Sequence, residues 1–219
     1  MSKVLNLMDG QRAERKTLVT AAEWDEYNVL TTEPADWATK YDEYFYKQGD
    51  AYFPVEGEGT PAAAPTFEAN KYYEAEQQRE ILGVRVTDSS IDLNADIETA
   101  TDILGNTYTD VNKTEPQQTL DPSYVIGGSK LSAYLYDAAI HNRIAAYNGV
   151  FRIYIISVFL GTDEAYEAVR HDGCTIIPTS IGGESYVAMP MDIHFSNKIT
   201  SGTVDAVKPD FVFTEDLSV

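Results

Sequence analysis

Apolar and polar positions alternate most cleanly in the second half of the chain. In "IDLNADIE", Ile91, Leu93, Ala95 and Ile97 share one side of a period of two, and Asp92, Asn94, Asp96 and Glu98 share the other. That split predicts a half-buried strand. A first alternating run precedes it from Ile81, in "ILGVRVTD". Further β-branched and aromatic runs bounded by Gly, Asp and Asn predict strands in "QQTLDPSYVI", Val150–Leu160, Ala165–Ser180, Ser185–Lys198 and Ser201–Val207. One segment changes period: from Ser129 to Ala146, Leu131, Tyr134, Leu135 and Ala138 recur at helical spacing, with Ser129 as the N-cap and "YNG" closing the element at Gly149. Between these elements, Glu98 to Pro122 is polar and thin in large aliphatics. Such a stretch has little to bury, and as a hairpin arm it needs something outside the chain to meet it.

The first 80 residues are less regular. "RAERKTLVTAAEWDEYNVLTT" predicts a short helix over Ala21–Val29 capped by Thr20. Short strands are expected around Tyr44–Pro54, and "GEGTPAAAP" (Gly57–Pro65) reads as an exposed loop or linker. "EANKYYEAEQQREIL" has helical propensity without caps, which leaves its state open. No internal repeat is visible. The organisation expected is an N-terminal segment over 1–80 and a core domain over 81–219. The fold class is mainly β: an antiparallel β-sandwich or barrel with one flanking α-helix (129–146) and a long hairpin arm.

Composition narrows the function classes. Hydrophobic residues make up 43% of the 219, enough to bury a core and exclude disorder throughout. The net charge of −19 is spread along the chain, with 8 basic and 16 acidic residues in 1–80 and 8 and 19 in the remainder. So acidic a surface does not grip nucleic-acid phosphates, since it lacks the cations that release counterions. It does suit a channel through which a polyanion slides without sticking, although solubility alone explains the same charge. A single cysteine, Cys174, forms no intrachain disulfide and points to a reducing compartment. The longest apolar run is interrupted by Arg152 and too short to span a membrane, and the first residues lack a signal-peptide core, so a soluble protein made in the cytoplasm is expected.

Candidate chemistry is sparse. His171 and Cys174 in "RHDGC" offer two metal ligands or a thiol beside an imidazole, but no second pair follows at zinc spacing, and a turn residue with a buried thiol is the ordinary reading. "IGGSKLS" lacks the ending of a phosphate loop, and "IGGES" lacks the pattern of a nucleophile elbow. "DLNADIE" starts like a calcium loop without its glycine or closing glutamate. The carboxylates of "EWDEY" and "YDEY" have no partner that the sequence reveals. No catalytic residue, metal set or cofactor emerges, and the chain reads as built to assemble.

The residues from about Ile81 to Val207 resemble the tail tube (major tail) proteins of long-tailed bacteriophages. The resemblance is carried by the Asp/Glu/Thr-rich strand and arm "SSIDLNADIETATDILGNTYTDVNKTEPQQTLD", the helix ending "NR", the "AYEA" strand, the "GGES" turn and the closing "GTVD". It implies a β-sandwich with a flanking helix, forming hexameric rings whose sheets join around a negative lumen, with a hairpin bridging one ring to the next. It also implies a place in the virion tail after assembly in the bacterial host cytoplasm, and partners among the tail initiator, tape measure and terminator proteins. Genomic DNA would pass through without specific binding, and no membrane is involved. On this reading Ile103, Leu104, Tyr108 and Val111 are the arm's docking residues. Asp92, Asp96 and Glu98 either line the lumen or face outward. Residues 1–80 do not map onto the family pattern. Two other functions fit the same features: another virion component that forms closed oligomers (a head decoration or tail terminator protein), and a carbohydrate-binding β-sandwich module using Tyr and Asp.

Overall fold

The computed structural model describes residues 18–83, 90–121, 123, 125, 128–162, 165–183 and 187–216. The protein is mainly β, of the antiparallel sandwich or barrel class, with one flanking helix and a hairpin arm. It divides into two compact units, residues 23–78 and the residues on either side of them, 1–22 and 79–219. The run "VRVTDS" of the first alternating segment, the "GG" before the helix and the "ESY" after the second Gly pair lie wholly or partly outside the described residues.

The smaller unit takes part of β1 (Leu18–Val29), a short helix (Trp37–Lys40), β2 (Phe45–Gln48), β3 (Ala51–Pro54) and most of β4 (Tyr72–Ile81), in the sheet order β3-β2-β4-β1. Register is set by Lys47 opposite Tyr52 and Phe45 opposite Tyr73. The helix expected over Ala21–Val29 is strand instead. Thr20, proposed as its cap, is buried, and its carbonyl accepts from the Leu82 amide at 2.8 Å. Ala21 and Ala22 favour a helix in isolation, but both are fully buried in the sheet, and tertiary pairing overrides that weak local bias. The segment "EANKYYEAEQQREIL", whose state the sequence left open, supplies β4. The unit's core is a ring cluster: Trp37 lies 4.6 Å from Tyr72, 5.3 Å from Phe67 and 5.5 Å from Tyr44, with Val55 beside them. The Gly57–Pro65 stretch is not simply exposed. Pro65 is buried and its carbonyl accepts the Trp37 Nε1–H at 2.8 Å.

The larger unit holds β5 (Ile91–Asp92), β6 (Asp96–Thr101), β7 (Thr107–Lys113), β8 (Gln117–Leu120), the long helix (Lys130–Ile140), β9 (Phe151–Thr162), β10 (Ala165–Pro178), β11 (Met191–His194), β12 (Ile199–Val204) and β13 (Phe213–Glu215). Its sheet runs β1-β9-β10-β11-β8-β5, with β12 also on β10 and β13 on β12. β9 pairs with β10 from Ala165 to Cys174, whereas β12 pairs with Tyr166–His171 of β10 and β11 with Thr175–Pro178. The burial pattern along β9 slips a step between Ile153 and Tyr154. Phe151 and Ile153 point to one face, where Phe151 meets Tyr134 of the long helix edge-on at 6.1 Å. Tyr154, Ile156 and Val158 point to the other, where Tyr166, Ala168, Val204 and Phe211 close a second core. A strand sheathed on alternate faces along its length reads as a nearly continuous apolar run.

The long helix is shorter than the predicted 129–146. Its start is as expected: Ser129 caps it, its oxygen accepting from the Ser132 amide at 3.0 Å. Glu80, from the end of β4, reinforces that end, accepting from the Ser129 hydroxyl at 2.7 Å and the Leu131 amide at 3.2 Å. It stops where Asn142 takes a left-handed φ of 53°. The Arg143 amide then reaches Ala138 and the Asn142 amide reaches Ala139, the paired bonds of a Schellman ending. A separate 3-10 turn follows at Ile144–Ala146.

Candidate functional site: an exposed hairpin arm

β6 and β7 form a two-stranded sheet of their own. Every residue of β7 is exposed, and so is all of β6 except the half-buried Ala100. The half-buried strand expected over Ile91–Glu98 is therefore broken in two. Ile91 and Asp92 pair with β8 as β5. Asn94 then turns the chain at φ 43° and donates its side-chain amide to the Glu115 carbonyl at 3.1 Å. The Glu115 amide returns a bond to the Leu93 carbonyl at 3.0 Å, so the arm leaves the body through a laced base. Leu93 and Ile97 stay exposed, with no layer among the described residues covering them.

The register decides which side chains share a face. Ile97 opposes Val111, Thr99 opposes Thr109, and Thr101 opposes Thr107. Side chains of directly opposed residues project together, so this face is β-branched throughout, and both threonine pairs join hydroxyls at 3.3 Å. Glu98 opposite Asp110 and Ala100 opposite Tyr108 make the other face. Two like charges directly opposed weaken a hairpin modestly. The four residues singled out for docking are thus not one surface: Val111 and Tyr108 lie on opposite faces, and Ile103 and Leu104 form the tip. The three acidic candidates separate as well. Glu98 and Asp96 sit on the arm, on Tyr108's face, while Asp92 belongs to β5 of the body.

The tip is held by a residue that sequence reasoning passed over. Asp102 accepts from the Leu104 amide at 2.8 Å, the Asn106 amide at 2.9 Å and the Asn106 side chain at 2.9 Å. The Gly105 amide closes back on the Asp102 carbonyl at 3.0 Å, with Gly105 at φ 84°, which favours glycine. The signal was present in "DILGN", where an Asp two residues before an amide it can accept from is a turn former. Within this frame Ile103 and Leu104 stand out at 102% and 80% exposure. Asparagine and backbone donors hold the Asp102 carboxyl below its ordinary value of 3.8. A depressed carboxyl contributes order above that value and loses it as pH falls through the lowered one. The expected result is that Asp102→Ala speeds amide exchange at Leu104 and Asn106 at neutral pH, and that wild type shows the same loosening only below about pH 4. Unchanged exchange in the variant would remove Asp102 as the organiser.

Elsewhere the candidate chemistry dissolves into structure. His171 Nδ1 bonds the Ser196 carbonyl at 2.7 Å and its ring meets Phe195 at 5.1 Å; the Cys174 thiol donates to the His171 backbone carbonyl at 3.3 Å. Thiol and imidazole are therefore not a nucleophile and base, and burial pushes the thiol above its ordinary value. Glu23 of "EWDEY" is buried and accepts from Gln77 at 3.0 Å. Among the described residues no His, Cys, Asp and Glu gather as a metal site. Nor is any described helix long and apolar enough to cross a membrane. The smaller unit carries one further surface feature: Tyr27 stacks on Tyr52 at 4.0 Å, with Phe45 and Tyr73 edge-on to them, all half-buried.

Fold and arm together define a β-rich body with a projecting, preorganised hairpin whose tip is apolar. Comparison with protein-family models, curated proteins and solved structures returned no match.

Proposed function

We propose that this chain is a structural subunit of a phage tail tube, which self-assembles into stacked hexameric rings and forms the conduit for DNA ejection. The observation that carries the reading is the arm. A hairpin that buries none of its own large side chains but fixes its tip with three bonds to one carboxylate is ready for a partner at low entropic cost. In a stack of identical rings that partner is the next subunit, and the exposed strand edges are consumed by pairing around the ring. Docking through the β-branched face leaves Asp96, Glu98 and Asp110 on the free side, where a lumen carrying DNA calls for repulsion over adhesion. Initiator, tape measure and terminator proteins are the further partners of this reading, the virion tail its location and the host cytoplasm its site of assembly.

Negative-stain electron microscopy of concentrated protein, with light-scattering mass over a dilution series, tests it. Stacked open rings are the expected result. Closed oligomers that never stack would favour a head decoration or terminator role instead. The aromatic cluster around Tyr27 and Tyr52 favours one reading of another class, a carbohydrate-binding module, since sugar rings rest on aromatic side chains. A stable monomer that binds glycans saturably would establish that alternative.

A further inference from the structure

The "YNG" between the 3-10 turn and β9 carries a chemistry of its own. Asn148–Gly149 is the only Asn-Gly pair in the sequence. In such a pair the glycine nitrogen is one ring closure from the asparagine side chain, and no Cβ shields it. After losing its proton to a solvent base, that nitrogen attacks Asn148 Cγ. The new N–Cγ bond closes a five-membered succinimide, the Cγ–Nδ2 bond breaks, and the side-chain nitrogen takes up a proton and leaves as ammonia. Water then opens the ring at either carbonyl, which leaves aspartate or isoaspartate at position 148.

The backbone requires the glycine. Gly149 has a φ of 72°, in the left-handed region that other residues rarely adopt. Space is not the cause, since an added Cβ would meet the Gly173 carbonyl at an ordinary 3.8 Å. Asn148 and Gly149 are both exposed, so water and base reach them. Against that, one hydroxyl engages both reacting groups. Thr175 Oγ1 accepts the Gly149 N–H at 2.9 Å and donates to Asn148 Oδ1 at 3.2 Å. A hydroxyl can do both, having one proton to give and lone pairs to accept with. Thr175 is itself fixed in β10, opposite His194 of β11, and the next amide, Ile176, bonds the Tyr147 carbonyl at 3.2 Å. Ring closure must therefore free the Gly149 N–H and swing the carboxamide off the same hydroxyl.

The geometry points to Asn148 as a site of spontaneous deamidation that Thr175 holds in check. Thr175 is a positioning residue here: its hydroxyl keeps the nitrogen protonated and the carboxamide turned toward β10. The inference is independent of the assembly reading. Its consequence falls on the start of β9, where Phe151 is fully buried and pairs with Cys174. Isoaspartate would lengthen the backbone by one carbon just before that residue, and either product adds a negative charge to a chain already at −19.

Timed incubation of the purified protein at mildly alkaline pH tests it, with peptide mass spectrometry reading aspartate and isoaspartate at position 148. A synthetic peptide of residues 145–152, "AAYNGVFR", gives the rate without the fold. The expected result is that the folded protein deamidates more slowly than the peptide. Thr175→Val should then react roughly three- to tenfold faster than wild type, the worth of one hydrogen bond. Thr175→Ser, which keeps the hydroxyl, should stay near the wild-type rate, as a merely looser turn would not. Circular dichroism checks the fold, and Thr175→Ala takes the place of Thr175→Val if the latter does not fold. A wild-type rate equal to the peptide's, a folded hydroxyl-free variant no faster than wild type, or modification at other asparagines ahead of Asn148 overturns the inference.

Discussion

Removing Ala100–Lys113 is expected to abolish tube growth while the monomer keeps its fold and its Tm to within a few degrees. The two halves of that expectation have separate causes. The fold is spared because the deleted residues contribute no side chain to either core; all of β7 is exposed, as are Ile103 and Leu104. The base also survives the cut. Asp96–Thr99 is enough chain to close a loop between Leu93 and Glu115, whose backbone bond lies outside the deletion, and loop closure entropy changes only slowly with length. Growth is lost because the tip's burial is the contact at stake. Covering one Ile or Leu side chain is worth about 1.5–3 kcal/mol, and a ring presents several identical tips at once, so the losses multiply across the interface. Leu104→Asp should approach the same outcome without shortening the chain. Electron microscopy and light scattering read the assembly, and thermal melts read the fold. Tubes of normal length from the deleted protein would mean that the arm is not the element joining one ring to the next.

The largest expected effect on stability is at Trp37. It is 2% exposed, touches Tyr44, Phe67 and Tyr72, and donates its indole N–H to the Pro65 carbonyl. The smaller unit has few other buried side chains of that size near it, since its cluster consists of Trp37, Tyr44, Val55 and Tyr72 with partly buried neighbours. Trp37→Ala should therefore cost about 3–5 kcal/mol, through the lost burial, the cavity and the unpaired Pro65 carbonyl. Trp37→Phe keeps most of the ring contacts and loses the hydrogen bond, so its cost should fall well below that of Ala. Urea titration followed by hydrogen exchange on β2 and β3 distinguishes the two. An unchanged urea midpoint and unchanged protection in Trp37→Ala would show that this ring cluster is not what orders residues 23–78.

The elements readable in the sequence were those whose cause is local. The long runs of β9 and β10 announce themselves through β-branched and aromatic residues, and Ser129 announces a helix start because its oxygen caps an amide three residues on. The arm was legible too, through what it lacks: a segment with few large apolar residues has no core to join, so a projecting hairpin is what remains. Its register was not legible. Only the observed pairing of Glu98 with Asp110 and Ile97 with Val111 shows that Tyr108 and Val111 point in opposite directions.

The misreadings share one origin. Ala21 and Ala22 favour a helix by themselves, yet they lie in a strand because strands distant in sequence pair with it, and the same kind of pairing makes a strand of "EAEQQRE", whose state the sequence left open. Ile91 to Ile97 alternates like a half-buried strand, and alternation reports only which side chains share a face, never whether a second layer covers it. Glu80 caps a helix 49 residues downstream of it, and Pro65 accepts from an indole 28 residues upstream; no local pattern encodes either contact. Propensity, capping and periodicity, acting over a few residues, determined by sequence alone that this is a β-rich protein with one flanking helix and a polar arm. Pairing and burial between distant segments decided which runs became strands, where the helix ends, and which side chains the arm holds out to a partner.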